Sequence, residues 1–183
     1  MKKKNSRLFR APLILCMVMV IVMVAAGCRM TQDPETEHLN AVLTNLFTDL
    51  TEEEYNEIEV LMENGEDFFA NEELMPDWFR AGFKDHMSEE GFEIFYGTDV
   101  YYMIPTISYM YEKNMTLEHL RIRKSGESYE FKGKLTVVSK TGTPEDAELS
   151  LEGRASIDEE GLVTLMDIFT IDDIITAIQE QDL

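Results

Sequence analysis

Residues 128–140 read SYEFKGKLTVVSK, and residues 147–158 read AELSLEGRASID. In the first, Tyr129, Phe131, Gly133, Leu135 and Val137 alternate with polar neighbours; in the second, Ala147, Leu149, Leu151, Gly153, Ala155 and Ile157 do the same. A period of two places one apolar set on one face of a half-buried strand, whereas an amphipathic helix repeats every three or four residues. The opposite faces carry Lys132 and Lys134 in one segment and Glu148 and Glu152 in the other, which suits charge pairing across a solvated sheet surface. Gly133 and Gly153 fall inside the apolar faces, where a missing side chain lets a sheet bend or another element come close.

Outward from this pair, Met115 to Lys124 and Leu162 to Thr170 read as two flanking strands. Ser125-Gly126-Glu127, Thr141-Gly142-Thr143-Pro144 and Glu159-Glu160-Gly161 read as hairpin connections. The expectation is a curved, four-stranded antiparallel meander.

Upstream the period becomes helical. Asp33-Pro34 is a cap followed by proline at the first helical position, and Leu39, Val42, Leu43, Leu46, Phe47 and Leu50 then mark one helical face. Thr51 and Glu54 form a capping box for a second helix, with Leu50 and Tyr55 spaced as a hydrophobic staple, and Asn64-Gly65 stops it. The run Glu52-Glu53-Glu54 favours the positive end of that helix and lacks the loop pattern of a calcium site. Residues 66–112 hold 12 of the 17 aromatics that follow residue 27, broken by Pro76, Gly82, Gly91, Gly97 and Pro105 into short helices. Such a density of rings either fills the helix-to-sheet core or lines an apolar cavity. Ser88 opens a helix with Glu89 and Glu90 in its first turn. At the C-terminus, Thr170 and Asp173 cap a short helix whose Ile171, Ile174, Ile175 and Ile178 form a stripe suited to docking on the domain.

The first 27 residues follow a different logic. Lys2, Lys3, Lys4, Arg7 and Arg10 form a basic start, Ala11 to Ala26 is an uncharged and almost wholly apolar run, and Ala25-Ala26-Gly27 closes it with small residues before Cys28. This is secretory signal architecture. The tetrapeptide Ala25-Ala26-Gly27-Cys28 resembles the lipobox of bacterial lipoproteins, with Ala25 where leucine is usual. The resemblance implies cleavage between Gly27 and Cys28 and a diacylglyceryl thioether on Cys28. Residues 28–33 would be the lipidated residue and its tether, and 34–183 a single domain held at the extracytoplasmic face of the cell membrane. An uncleaved membrane helix and free secretion are the alternatives; the run is shorter than the roughly 20 residues a span requires, and free secretion needs no cysteine at the cut. Cys16 leaves with the leader and Cys28 is taken by lipid, so of the two cysteines none remains for a disulfide, zinc or thiol chemistry.

Charge narrows the partners. The whole chain carries a net −20, but the five basic residues of the leader belong to the piece removed, which leaves 11 basic against 36 acidic side chains and a net −25. Such a surface repels phosphate, so nucleic acid and anionic head groups are excluded as ligands. The membrane partner is reached through lipid alone.

Helices followed by four antiparallel strands, with glycines in the middle strands, resemble the NTF2-like cone fold, and Met87-Ser88-Glu89-Glu90-Gly91-Phe92 is similar to the segment such domains place before their sheet. The implied class is α+β: N-terminal helices on a curved antiparallel sheet, with a short C-terminal helix as an addition. NTF2-like domains include enzymes, ligand binders and scaffolds, so the fold alone does not choose a function. Enzymes of this kind place a carboxylate or histidine inside the cone. Asp167 is the candidate here, alternating with Val163, Leu165 and Phe169, while the other face (Leu162, Thr164, Met166, Ile168) is equally apolar. Asp99 with Tyr101 and Tyr102 forms a second polar group, at a cavity mouth or in a loop. His38, His86 and His119 have no metal-ligand spacing, and no cofactor motif is present. Two readings follow: a non-catalytic lipoprotein domain binding a small apolar ligand, a peptide or an envelope protein, and an envelope enzyme built on a buried Asp167.

The anchor is directly testable. Cys28→Ala is expected to lose the lipid mass increment and the membrane retention of the mature protein; unchanged mass and retention would refute the lipid anchor.

Overall fold

Each strand begins where the alternation begins. In the computed structural model, which describes residues 34–64, 72–97, 101, 103–140 and 147–180, the strands are β1 (Lys113–Ser125), β2 (Ser128–Ser139), β3 (Ala147–Ile157) and β4 (Val163–Ile168). They form one open antiparallel sheet in the order β1-β2-β3-β4. Tyr129, Phe131, Leu135, Val137, Leu151 and Ala155 are buried on its inner face. On the outer face Lys132 bonds Glu152 at 3.0 Å, and Lys134 pairs with Glu148. Both pairs are exposed, so solvent and salt screen them and they add little to stability.

Gly153 stands directly opposite Phe131 in the register. A Cβ there would collide with the Phe131 ring from one side and the Asp167 carbonyl from the other. The glycine therefore lets a fully buried ring lie flat on the sheet, while β4 closes in beside it.

Two bulges break the period of two. In β1 the register shifts between Glu118 and Arg121, and His119 adopts φ 56°, a left-handed conformation uncommon outside glycine. Before the bulge Met115 and Leu117 point inward; after it Leu120 and Ile122 do. A second shift opposite Ser156 and Ile157 acts on β4, where Val163, Met166 and Ile168 are buried and Leu165 and Asp167 are exposed. The ambiguity between two apolar faces of β4 is resolved by that extra residue.

Six α-helices lie among the described residues: α1 (Glu37–Leu46), α2 (Glu52–Glu63), α3 (Asp77–Gly82), α4 (Glu89–Gly97), α5 (Ile104–Met110) and α6 (Ile171–Gln179), with short 3-10 turns at Pro34–Thr36, Glu72–Leu74 and Lys84–His86. The α1 stripe is buried as its spacing requires: Leu39, Val42, Leu43 and Leu46 are fully inaccessible. Thr51 and Glu54 form the reciprocal cap of α2, with the Thr51 N–H donating to Glu54 at 2.8 Å and the Glu54 N–H to the Thr51 hydroxyl at 3.3 Å. Tyr55 stacks on Tyr109 with ring centroids 4.3 Å apart. Ile174 and Ile178 dock α6 into the core. Thr170, expected to cap α6 with its side chain, instead accepts the Glu152 N–H at 3.3 Å and ties the helix start to β3. Residues 1–33 and 34–183 are separate units, and among the described residues the core runs from Leu39 to Ile178, within the second.

Both sheet edges make contacts with flanking elements. On β1 the Met115 N–H donates to the Asp49 carboxylate at 2.8 Å. On β4 the Val163 carbonyl accepts the Ser88 N–H at 3.0 Å, Met87 forms a parallel bridge to Val163, and the Ile168 N–H donates to the Tyr101 hydroxyl at 3.2 Å. The start of α4 lies so close to β4 that a Cβ on Gly91 would overlap the Val163 carbonyl and the Thr164 backbone, whereas a Cβ on Gly97 meets nothing. Gly91→Ala should cost about 1–3 kcal/mol by overpacking, and Gly97→Ala should be neutral or stabilising by up to about 1 kcal/mol. Urea unfolding of the two variants checks the contrast.

Candidate functional site

The buried acid–base reading depends on Asp167 facing inward, and the β4 bulge turns it out. Asp167 is exposed on the outer face of the sheet, and among the described residues no aspartate or glutamate is buried. Tyr101 is half-buried; desolvation raises its phenol above the ordinary range, the hydrogen bond from Ile168 opposes this, and Asp167 adds a smaller push upward. Its oxygen is occupied by the backbone of the edge strand. Asp99, Tyr102, Gly27 and Cys28 lie outside the described residues. Of the aromatic segment, Phe68 and Phe69 also lie outside the described residues, and Phe79, Phe83, Phe95 and Tyr101 run ring to ring at centroid distances of 4.9, 5.4 and 6.0 Å. These rings occupy the helix-to-sheet interior.

Folding does unite two residues that the sequence left scattered. His38 on α1 and His86 in the turn before α4 meet with their Nδ1 atoms 2.9 Å apart. In the neutral pair one nitrogen carries the hydrogen and the other accepts it; two imidazolium rings would set N–H against N–H. Burial lowers the His86 pKa first and the neighbouring His38 lowers it further, while a backbone hydrogen bond at Ala81 and the charges of Asp85 and Glu37 act in the opposite direction. The partners are 48 positions apart and follow no linear spacing, so no sequence motif marks them. The third histidine, His119, sits at the β1 bulge, exposed. Among the described residues no group of three or more His, Cys, Asp or Glu is placed to hold a metal ion.

A groove of about 1110 Å³ lies between α2 and the start of α3. Its apolar part is Val60 and Leu61 from α2, with Leu74, Pro76 and Trp78 across from them. Val60 is 55% exposed, which for a valine in an acidic helix is a position that neither core packing nor the helix cap explains. Glu52, Glu53, Glu54, Glu57 and Asp77 surround these side chains, and the lining holds no lysine or arginine. Trp78 spans the groove: its indole N–H donates to Glu57 at 3.1 Å, and its ring stands edge-on to the buried Phe79 at 5.5 Å. Beneath it the Asn45 amide donates to the Gly82 carbonyl at 2.9 Å and fixes α3 to α1. The groove went unread in the sequence because its walls, Val60 and Leu61 on one side and Leu74 to Trp78 on the other, are 13 or more residues apart; the one signal was Val60, an apolar residue off the α2 stripe.

No protein-family model matches the chain, and no curated protein matches it. Among solved structures, a crystal structure of TerC co-crystallized with polyporic acid aligns with 75% of this chain and 97% of its own, at 12% identity and a TM-score of 0.36. A likeness that weak transfers neither fold nor function. Among the described residues no helix is long and apolar enough to cross a membrane.

The histidine contact gives a pH dependence with a definite sign. Because the folded His86 value is depressed below the ordinary histidine value of about 6.5, the unfolded chain binds more protons in the window beneath that value, and stability falls as pH falls through it. The urea midpoint should drop between pH 7 and pH 5, and His86→Gln should flatten this part of the drop.

Proposed function

We propose that this chain is a lipid-anchored extracytoplasmic lipoprotein whose α+β domain, a variant of the NTF2-like type, works as a non-catalytic docking module through the groove between α2 and α3. The anchor is supported by the basic start, the apolar run and the Ala25-Ala26-Gly27-Cys28 junction. The NTF2-like assignment is supported by the order of elements, helices before a four-stranded antiparallel meander, and by the Met87–Phe92 segment leading into it. The sheet is open, and its inner face is sealed by rings where a cone enzyme would keep a polar pocket. A small apolar ligand would need an enclosed chamber. The groove runs beside α2 and is open to solvent, a shape that suits a segment of another protein.

The observation that carries this reading is the exposed Val60 beside half-buried Leu74 and Trp78 in a groove whose lining is otherwise rich in carboxylates. Lipid attachment at residue 28 leaves such a surface facing the extracytoplasmic space. A photo-crosslinking amino acid at position 60 in intact cells is expected to give one discrete adduct with an envelope protein, while the same group at position 154, exposed on the sheet, gives none. Adducts at both positions, or at neither, would overturn the docking role.

A further inference from the structure

We infer that the occupant of this groove is a cationic amphipathic segment of a partner protein, an inference that rests on the groove being the docking site. Charge in the domain is segregated along the chain. From Met30 to Phe79 the sequence holds fifteen carboxylates and no lysine or arginine; apart from Arg29, every basic residue beyond the leader lies at Arg80 or later, most of them in the sheet strands. The groove is therefore walled entirely by the acidic half.

Local structure accounts for part of this charge and leaves a surplus. Glu52, Glu53 and Glu54 sit in the first turn of α2 and Asp77 in the first turn of α3, where a helix N-terminus favours a carboxylate. Each N-terminus offers at most about half an elementary charge. Two such ends cannot balance five carboxylates, and Glu57, one turn further along α2, gains only the neutral indole N–H of Trp78. The field over the groove stays strongly negative, which repels phosphate and acidic peptides and draws in lysine- or arginine-rich ones.

Charge alone would also accept a polyamine or a loose counterion cloud. The floor adds a second requirement. Val60, Leu61, Leu74 and Trp78 offer apolar and aromatic surface between the carboxylates, which a hydrated cation gains nothing by covering. Trp78 also presents a ring face to a lysine or arginine. At 12 residues α2 is about 18 Å long, three turns, enough for apolar anchors at i, i+3 or i+4, and i+7 of a bound segment whose flanks carry the positive charge.

Trp78 is the only tryptophan in the chain, so its emission reports on the groove without a label. The test uses residues 34–183, a separate unit that holds the core of the described residues, and the 14-residue helical peptide LKKLLKLLKKLLKL. Saturable change in Trp78 emission is expected, weakening with added salt as exposed charges are screened. The double variant Glu53→Lys with Asp77→Lys should weaken binding by about tenfold or more, whereas Glu127→Lys with Glu159→Lys, an equal change in net charge at the hairpin ends, should alter it by less than about twofold. Val60→Ser, a surface change that spares the fold, should weaken it without altering charge. Equal losses from both double variants would mean attraction to a net-negative protein and would overturn the inference. If a leucine–glutamate peptide of the same pattern perturbs Trp78 equally, the groove still docks peptides and only the cationic preference fails. If neither peptide perturbs Trp78, both the inference and the docking role fail.

Discussion

The Phe131 ring lying on Gly153 is the contact on which the rest of the domain depends. Three strands meet there: β2 supplies the ring, β3 the missing side chain, and β4 brings the Asp167 carbonyl to the other side. A flat ring at the centre gives the helices a continuous apolar floor, and Leu135, Leu151 and Ile168 extend it. Burial of each such side chain contributes about 1.5–3 kcal/mol. The helices then pack by their own stripes, and the start of α4 reaches the backbone of β4, the edge strand, where Gly91 leaves room for it.

A core filled this completely has a functional consequence. The twelve aromatics of the middle segment read equally well as pocket walls or as filling, and the ring-to-ring series from Phe79 to Tyr101 shows filling for those it includes. Chemistry in a closed interior has no buried carboxylate to use among the described residues. Concave apolar surface occurs instead between α2 and α3, on the acidic half of the chain. Charge is segregated along the chain as well: basic residues on the strands pair across the sheet with glutamates, while residues 30–79, which wall the groove, hold no lysine or arginine.

Strand and helix positions were legible because local physics sets them. The predicted strands agree with β1 to β4 within two residues at every end, and the Thr51–Glu54 cap forms as written. Each depends on neighbours two to four positions apart. The bulges were not legible. Strict alternation put His119 in line with Leu117 and Arg121, yet one inserted residue exchanged the faces and carried Leu120 and Ile122 inward. The same device set Asp167 outside. Nothing within β4 distinguishes its two apolar faces; the choice is made by pairing with β3 and by the helix lying over Val163. Thr170 fits a capping pattern, but its hydroxyl is taken by a backbone N–H eighteen residues earlier.

The sequence by itself determined the alternation of the four strands, the faces of α1 and α6, the caps, the basic and apolar leader ending at Cys28, and the excess of carboxylates. Each is a property of residues close together in the chain, where propensity, periodicity and charge act without reference to the fold. Tertiary structure alone decided which face of β4 is buried, that His38 meets His86, that the rings fill the interior, and that Val60 and Trp78 share a groove. The pairs that decide them include His38 with His86, 48 positions apart, and the start of α4 at Gly91 with Val163, 72 apart. Their distances are set only once Phe131 has closed on Gly153 and the helices have taken the space that remains.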